Sequence, residues 1–159
     1  MGLHVVGISD FHVSRNVDEV IVTYSLGSCI GVTVYDPVTR VGGMIHYMLP
    51  LSKISPEKAR VKPAMFADTG IPFLLKKAFA EGAAKDRLVV KVAGGSKLMD
   101  QNKIFNIGER NYLILRKLLW KNNILIDAED VGGNLSRTVQ LEMKTGRVTV
   151  KSPKGVMEL

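Results

Sequence analysis

One cysteine, three histidines and one tryptophan are the whole supply, in this 159-residue chain, of side chains that most often carry metal or redox chemistry. A lone cysteine excludes an intrachain disulfide and any cysteine-only metal site. His4, His12 and His46 stand at no metal-ligand spacing, so neither a metal nor a cofactor is expected. No apolar run approaches the roughly 18–20 residues of a membrane span. The longest, residues 20–24 and 113–120, are short or broken by charge. No basic segment followed by an apolar run opens the chain, and Val6 stands where a myristoylation signal needs Ser or Thr. These absences lead us to expect a cytoplasmic protein without membrane insertion. Repeats, low-complexity tracts and linkers are also missing, so residues 1–159 are expected to form a single domain.

What is present is ordinary globular material, 46% hydrophobic and 23% charged, enough for a sizeable core. The balance is basic, with 22 Lys and Arg against 15 Asp and Glu. These cations are scattered, and no aromatic–basic signature accompanies them, so a nucleic-acid partner is not expected. A solvated basic surface or an acidic protein partner fits better.

β-Branched and aromatic residues predict strands over residues 20–24, 30–35 and 41–48. Leu26-Gly27-Ser28 interrupts the first two, and Asp36-Pro37-Val38-Thr39 reads as a type I turn. Asp68 or Thr69 would cap a helix reaching Ala80, with Pro72 in or near its first turn. Apolar spacing predicts a second helix over 107–121, burying Tyr112, Leu115, Leu118, Leu119 and Trp120. Strands over 88–93 and 125–131 end at Gly94-Gly95 and Gly132-Gly133. Residues 137–143 and 147–151 form a closing hairpin. The order is mixed α/β without the strict alternation of a Rossmann fold. Neither Gly-Gly site fits a dinucleotide or P-loop pattern, so both read as turns, with shaping of a cleft as the alternative.

The 36–39 turn sets a register. If its ends pair, partners sum to 75, and Cys29 faces His46 on the same side of the hairpin. A neighbouring imidazole can take the thiol proton and make a nucleophile. Gly27 leaves room for a substrate carbonyl, and the backbone near Ser28 and Cys29 can supply oxyanion donors. Thr23 is the candidate third group that orients the ring.

Thr23, Leu26-Gly27-Ser28-Cys29 and His46-Tyr47-Met48-Leu49-Pro50 resemble the active-site segments of the CheD family, the chemoreceptor glutamine deamidases. Phe66-Ala67-Asp68-Thr69, Lys91-Val92-Ala93-Gly94-Gly95, Ile107-Gly108-Glu109-Arg110-Asn111 and Glu129-Asp130-Val131-Gly132-Gly133-Asn134 with Arg137 extend the likeness over most of the chain. Ser96, where Ala is expected, and Pro72, expected to interrupt the helix, depart from the pattern. The resemblance implies a layered α/β sandwich with a mostly antiparallel sheet and helices packed on it, similar to the catalytic domains of deamidating bacterial toxins. It implies Cys29 as nucleophile, His46 as general base and then acid, and Thr23 as the residue orienting His46. The substrates would be glutamine side chains of methyl-accepting chemotaxis receptors, converted to glutamate through a thioester. A CheC-type phosphatase would be a second partner, and a basic face would aid docking on Glu-rich receptor helices.

The alternatives are a catalytically quiet module that titrates a CheC-type phosphatase or receptor, and a transglutaminase or thiol protease. A papain-like protease is disfavoured, because its Cys and His stand more than about 100 residues apart. His4 and His12 are expected to be structural. Met99 and Phe105, in the long connection after Gly94, suggest a partner-binding loop.

Overall fold

The computed structural model describes residues 2–97 and 106–159. Met99 and Phe105 lie outside the described residues. The chain opens with β1 (Gly2–Val5), β2 (Asp10–Ser14), β3 (Glu19–Leu26), β4 (Ile30–Tyr35) and β5 (Gly42–Tyr47). Helices α1 (Pro56–Val61) and α2 (Ala67–Ala80) follow, then β6 (Val89–Gly94) and α3 (Ile107–Lys121). β7 (Ala128–Val131), β8 (Arg137–Glu142), β9 (Arg147–Ser152) and β10 (Gly155–Glu158) complete it.

The strands form two five-stranded sheets, ordered β1-β3-β8-β9-β10 and β2-β5-β4-β6-β7. Each contains one parallel pair, β1–β3 and β6–β7, and is otherwise antiparallel. This is the expected α/β sandwich, built from two sheets where one mostly antiparallel sheet was expected. Strand alternation divides the interior in two. Ile30, Val32, Val34, Ile45 and Tyr47 face α2 and α3, while Tyr35, Met44 and Ala93 face the first sheet through Ile21, Leu26, Val139 and Leu141. No helix among the described residues is long and apolar enough to cross a membrane.

Several expectations are corrected. α2 starts at Ala67 without a side-chain cap. Asp68 instead accepts from the Ser52 N–H and hydroxyl, and the Thr69 hydroxyl donates to the Pro63 carbonyl. Pro72 lies inside α2 and does not interrupt it. Its ring is on the exposed side, and the buried stripe of Ala67, Ile71, Leu74, Leu75 and Ala78 carries the helix through the lost backbone bond. α3 has its expected bounds, but Trp120 is 78% exposed because the buried positions are Gly108, Asn111, Leu115 and Leu119, one step round the helix. β1, β2 and β10 were not expected.

The β4–β5 hairpin keeps its turn but shifts its register. The Asp36 N–H donates to Val41, and the Arg40 N–H donates to Asp36. Arg40 takes a left-handed φ of 59°. The loop is therefore residues 37–40, and the ladder runs Ile30↔Tyr47, Gly31↔His46, Tyr35↔Gly42. His46 faces Gly31, not Cys29.

Asp36 is fully buried and fixes this loop. Burial opposes its charge. The Arg87 guanidinium and the N–H groups of Ala84, Val38 and Thr39 outweigh burial and hold the carboxyl well below the usual range. Asp36→Ala strands these donors and should cost about 3 kcal/mol in urea unfolding at an unchanged m-value. A loss under about 1 kcal/mol would mean that water replaces the carboxylate without difficulty.

Candidate active site

The two-residue shift preserves the face, because side-chain direction has a period of two. Cys29 stands one residue before β4 and packs, half-buried, into the inter-sheet core. His46 points into the same core from β5. Gly31 opposite it carries no side chain, and Leu26 and Thr23 fill the space from β3 of the other sheet. Thr23 therefore reaches His46 across the gap between sheets. Its Oγ1 lies 2.7 Å from His46 Nδ1 and 2.7 Å from the Val6 carbonyl oxygen.

This chain of contacts fixes the tautomer. A carbonyl oxygen only accepts, so the single Thr23 hydroxyl proton goes to Val6. The same hydroxyl oxygen must then accept from Nδ1–H, and Nε2 carries a lone pair. Nε2 is buried without a hydrogen-bond partner among the described residues. Burial holds the imidazole neutral, with its pKa pushed down to about 4. Burial pushes the Cys29 thiol up, against a smaller downward pull from its own backbone N–H. The resting pair is a neutral thiol and a neutral imidazole, not the preformed thiolate a close Cys–His contact suggested.

Depression of the His46 pKa has a measurable sign. Above about pH 6.5 neither the folded nor the unfolded imidazole is charged. Between 6.5 and about 4 only the unfolded chain takes the proton, so stability should fall with pH by about 1.4 kcal/mol per unit. His46→Gln should remove this component, read as the difference between the two proteins' urea midpoints at pH 7, 6 and 5. Parallel curves would contradict it.

The loop bearing the thiol is held by its carbonyls. Gly27 O accepts from the Ser96 N–H at 2.8 Å, and Cys29 O from Gly95 at 2.9 Å. Ser28 O accepts from the Asn111 side-chain amide at 2.9 Å. No backbone acceptor among the described residues takes the Ser28 or Cys29 N–H. The Gly94-Gly95 turn packs directly on the Cys29 carbonyl, where a Cβ on Gly94 would collide, and both glycines have positive φ. Gly95, together with Ser28, Gly132 and Gly133, lines a cleft of about 330 Å³. The Gly-Gly sites are turns, and Gly95, Gly132 and Gly133 also wall this cleft.

Two further residues hold the site together, and the sequence had signalled neither role. Asn111 donates to Met48 as well as Ser28, so α3 grips the segments that follow His46 and precede Cys29. Arg137 pairs with Asp130 and donates to Gly94 O, Ser96 Oγ and Gly132 O, joining the two Gly-Gly turns. Ser96 Oγ accepts from Arg137 and donates to Leu135 O at 2.6 Å. A motif marks Asn111 and Arg137, but only the fold shows which carbonyls they hold. His4 and His12, separate in sequence, are brought together by it, with rings stacked at 3.5 Å and His12 paired to Glu19.

A half-buried thiol, an imidazole whose Nε2 has no partner among the described residues, and two N–H groups with no backbone acceptor among them, beside a cleft, give a layered α/β protein with a candidate cysteine–histidine acyl-transfer site. Relatives narrow the class. The family model described as CheD chemotactic sensory transduction matches residues 48–152. A protein of Syntrophus aciditrophicus named "Probable chemoreceptor glutamine deamidase CheD 1" is 54% identical over 98% of this chain and 97% of its own. Similarly named proteins of Solibacter usitatus and Pyrococcus horikoshii are 51% and 40% identical, over 91% and 92% of this chain and 85% and 90% of theirs. The chain belongs to the CheD family.

Proposed function

We propose that the chain is a single-domain chemoreceptor glutamine deamidase, using Cys29, His46 and Thr23. The observation that carries this reading is the Thr23–His46 contact, which leaves the lone pair of Nε2 free in the core that also holds the only thiol. The names of its relatives supply the substrate class.

In this reading a receptor glutamine side chain enters the cleft. The thiol proton passes to His46 Nε2 as sulfur attacks the amide carbon. The Ser28 and Cys29 N–H groups receive the oxyanion, with Gly27 giving room for its approach. The carbon–nitrogen bond breaks, and ammonia leaves with the proton from Nε2. A thioester remains. Water then attacks it, His46 takes the water proton, the carbon–sulfur bond breaks, and the proton returns to sulfur. The products are glutamate and ammonia.

The test is intact-mass spectrometry of a receptor cytoplasmic fragment from the same organism. Incubation with the protein should add about one dalton per modified glutamine, as amide becomes acid. An unchanged mass would overturn the reading and leave a binding module. A CheC-type phosphatase is the second partner in this proposal, and failure of the host's own such phosphatase to co-purify or change the deamidation rate would remove it.

A further inference from the structure

His4, His12 and Glu19 converge from three strands and both sheets. β1 pairs with β3 so that Gly2 faces Glu19 and His4 faces Ile21. β2 pairs with β5 so that His12 faces Met44. Ile21 and Met44 point into the inter-sheet core, and strand alternation turns all three side chains the same way, at its open edge. One donor atom from each lies within 4.8 Å of the other two.

A plain structural reading accounts for part of this cluster. His12 Nε2 and Glu19 Oε1 pair at 2.5 Å. It does not account for His4. That ring stacks on His12 at 3.5 Å and 7° but makes no hydrogen bond among the described residues. Neither ring nitrogen of His4 is engaged by a hydrogen bond among the described residues, which leaves that ring open to a cation.

We propose that His4, His12 and Glu19 form a binding site for a divalent transition-metal ion of the zinc class. Two imidazoles and one carboxylate are a three-ligand donor set for such an ion, with water as the fourth ligand. The His12 and Glu19 side chains are 25% and 16% exposed, so the ion can enter and the fourth position can face solvent. Binding needs only small movements. The His12–Glu19 hydrogen bond opens, the His12 proton sits on the other ring nitrogen, and the ion takes its place. The ion would tie β1 to β2 across the crossover of residues 6–9. That crossover delivers Val6 O to Thr23, and Ser9 N–H to the His46 carbonyl. The proposal is independent of the deamidase reading.

The experiment is equilibrium dialysis of the full chain against Zn²⁺, with the absorption spectrum of the Co²⁺ form. Wild type and Cys29→Ala should each retain one ion per chain, and the Co²⁺ spectrum should show no thiolate charge-transfer band. His4→Ala removes no hydrogen bond among the described residues, so its fold should survive. It should weaken binding on the order of 100-fold and abolish the rise in Tm that Zn²⁺ gives wild type. His12→Ala should do the same. No retention by wild type in excess metal, retention undiminished in His4→Ala, or retention lost in Cys29→Ala would each overturn the site.

Discussion

Cys29→Ala should abolish conversion of receptor glutamine to glutamate, by on the order of 10⁴-fold or more, while leaving a folded protein. Alanine removes one sulfur at a half-buried position at the edge of the inter-sheet core. The loop does not depend on that sulfur. Its three carbonyls are held by the Ser96 and Gly95 N–H groups and the Asn111 amide, all of which remain. The thermal midpoint should therefore move by only a few degrees while the mass change disappears. Residual activity within tenfold of wild type would mean that a water activated by His46 attacks directly and that no thioester forms. With burial pushing the thiol up, the wild-type rate should also lack the acid-side plateau of a preformed thiolate. Transfer to His46 belongs to the chemical step, so the rate should report the pair and not either group alone.

How much of this was legible beforehand depends on the range of each interaction. The 107–121 helix was readable to the residue because its signal is local, an apolar face repeating every three to four positions. The β4 strand was equally plain. The hairpin register was not. It turns on Arg40 adopting a left-handed backbone and on Asp36 collecting three backbone N–H groups, one of them from Ala84. The error of two residues moved His46 opposite Gly31 yet kept Cys29 on its face, which is why the pairing survived in substance. β1 and β2 are four and five residues long, at the edges of two different sheets, too short for alternation to distinguish from loop. Missing them hid Val6, and with it the acceptor that sets the Thr23 hydroxyl. It also hid the meeting of His4 with His12. Contacts between sheets carry no sequence period at all, so Thr23 could be offered as the group orienting His46 from its hydroxyl and from resemblance, and not placed against the ring.

That cross-sheet contact leads to the second large effect. Thr23→Val keeps the shape and the buried methyl but removes the hydroxyl between Val6 O and His46 Nδ1. Valine cannot accept, so an Nδ1 proton would be buried without a partner, at a cost of about 1–3 kcal/mol. Moving the proton to Nε2 trades one unpartnered N–H for another, because Nε2 has no partner among the described residues in wild type either, so the Nδ1–H form loses its preference and the ring its anchor. The Nε2–H form, no longer disfavoured, cannot accept a proton from Cys29, and an unanchored ring can turn away from the thiol. We expect kcat to fall about 10²–10³-fold, within the span of general-base contributions, with KM for the receptor fragment little changed. Thr23→Ser restores the hydroxyl and should recover most of the rate, which a loss of packing alone would not allow. The imidazole ¹⁵N shifts, read at neutral pH, should show Nδ1 protonated in wild type and in Thr23→Ser, and an Nε2–H population appearing in Thr23→Val. If the valine variant keeps the Nδ1–H form and loses activity all the same, Thr23 acts by holding the crossover at Val6 in place and not by choosing the tautomer.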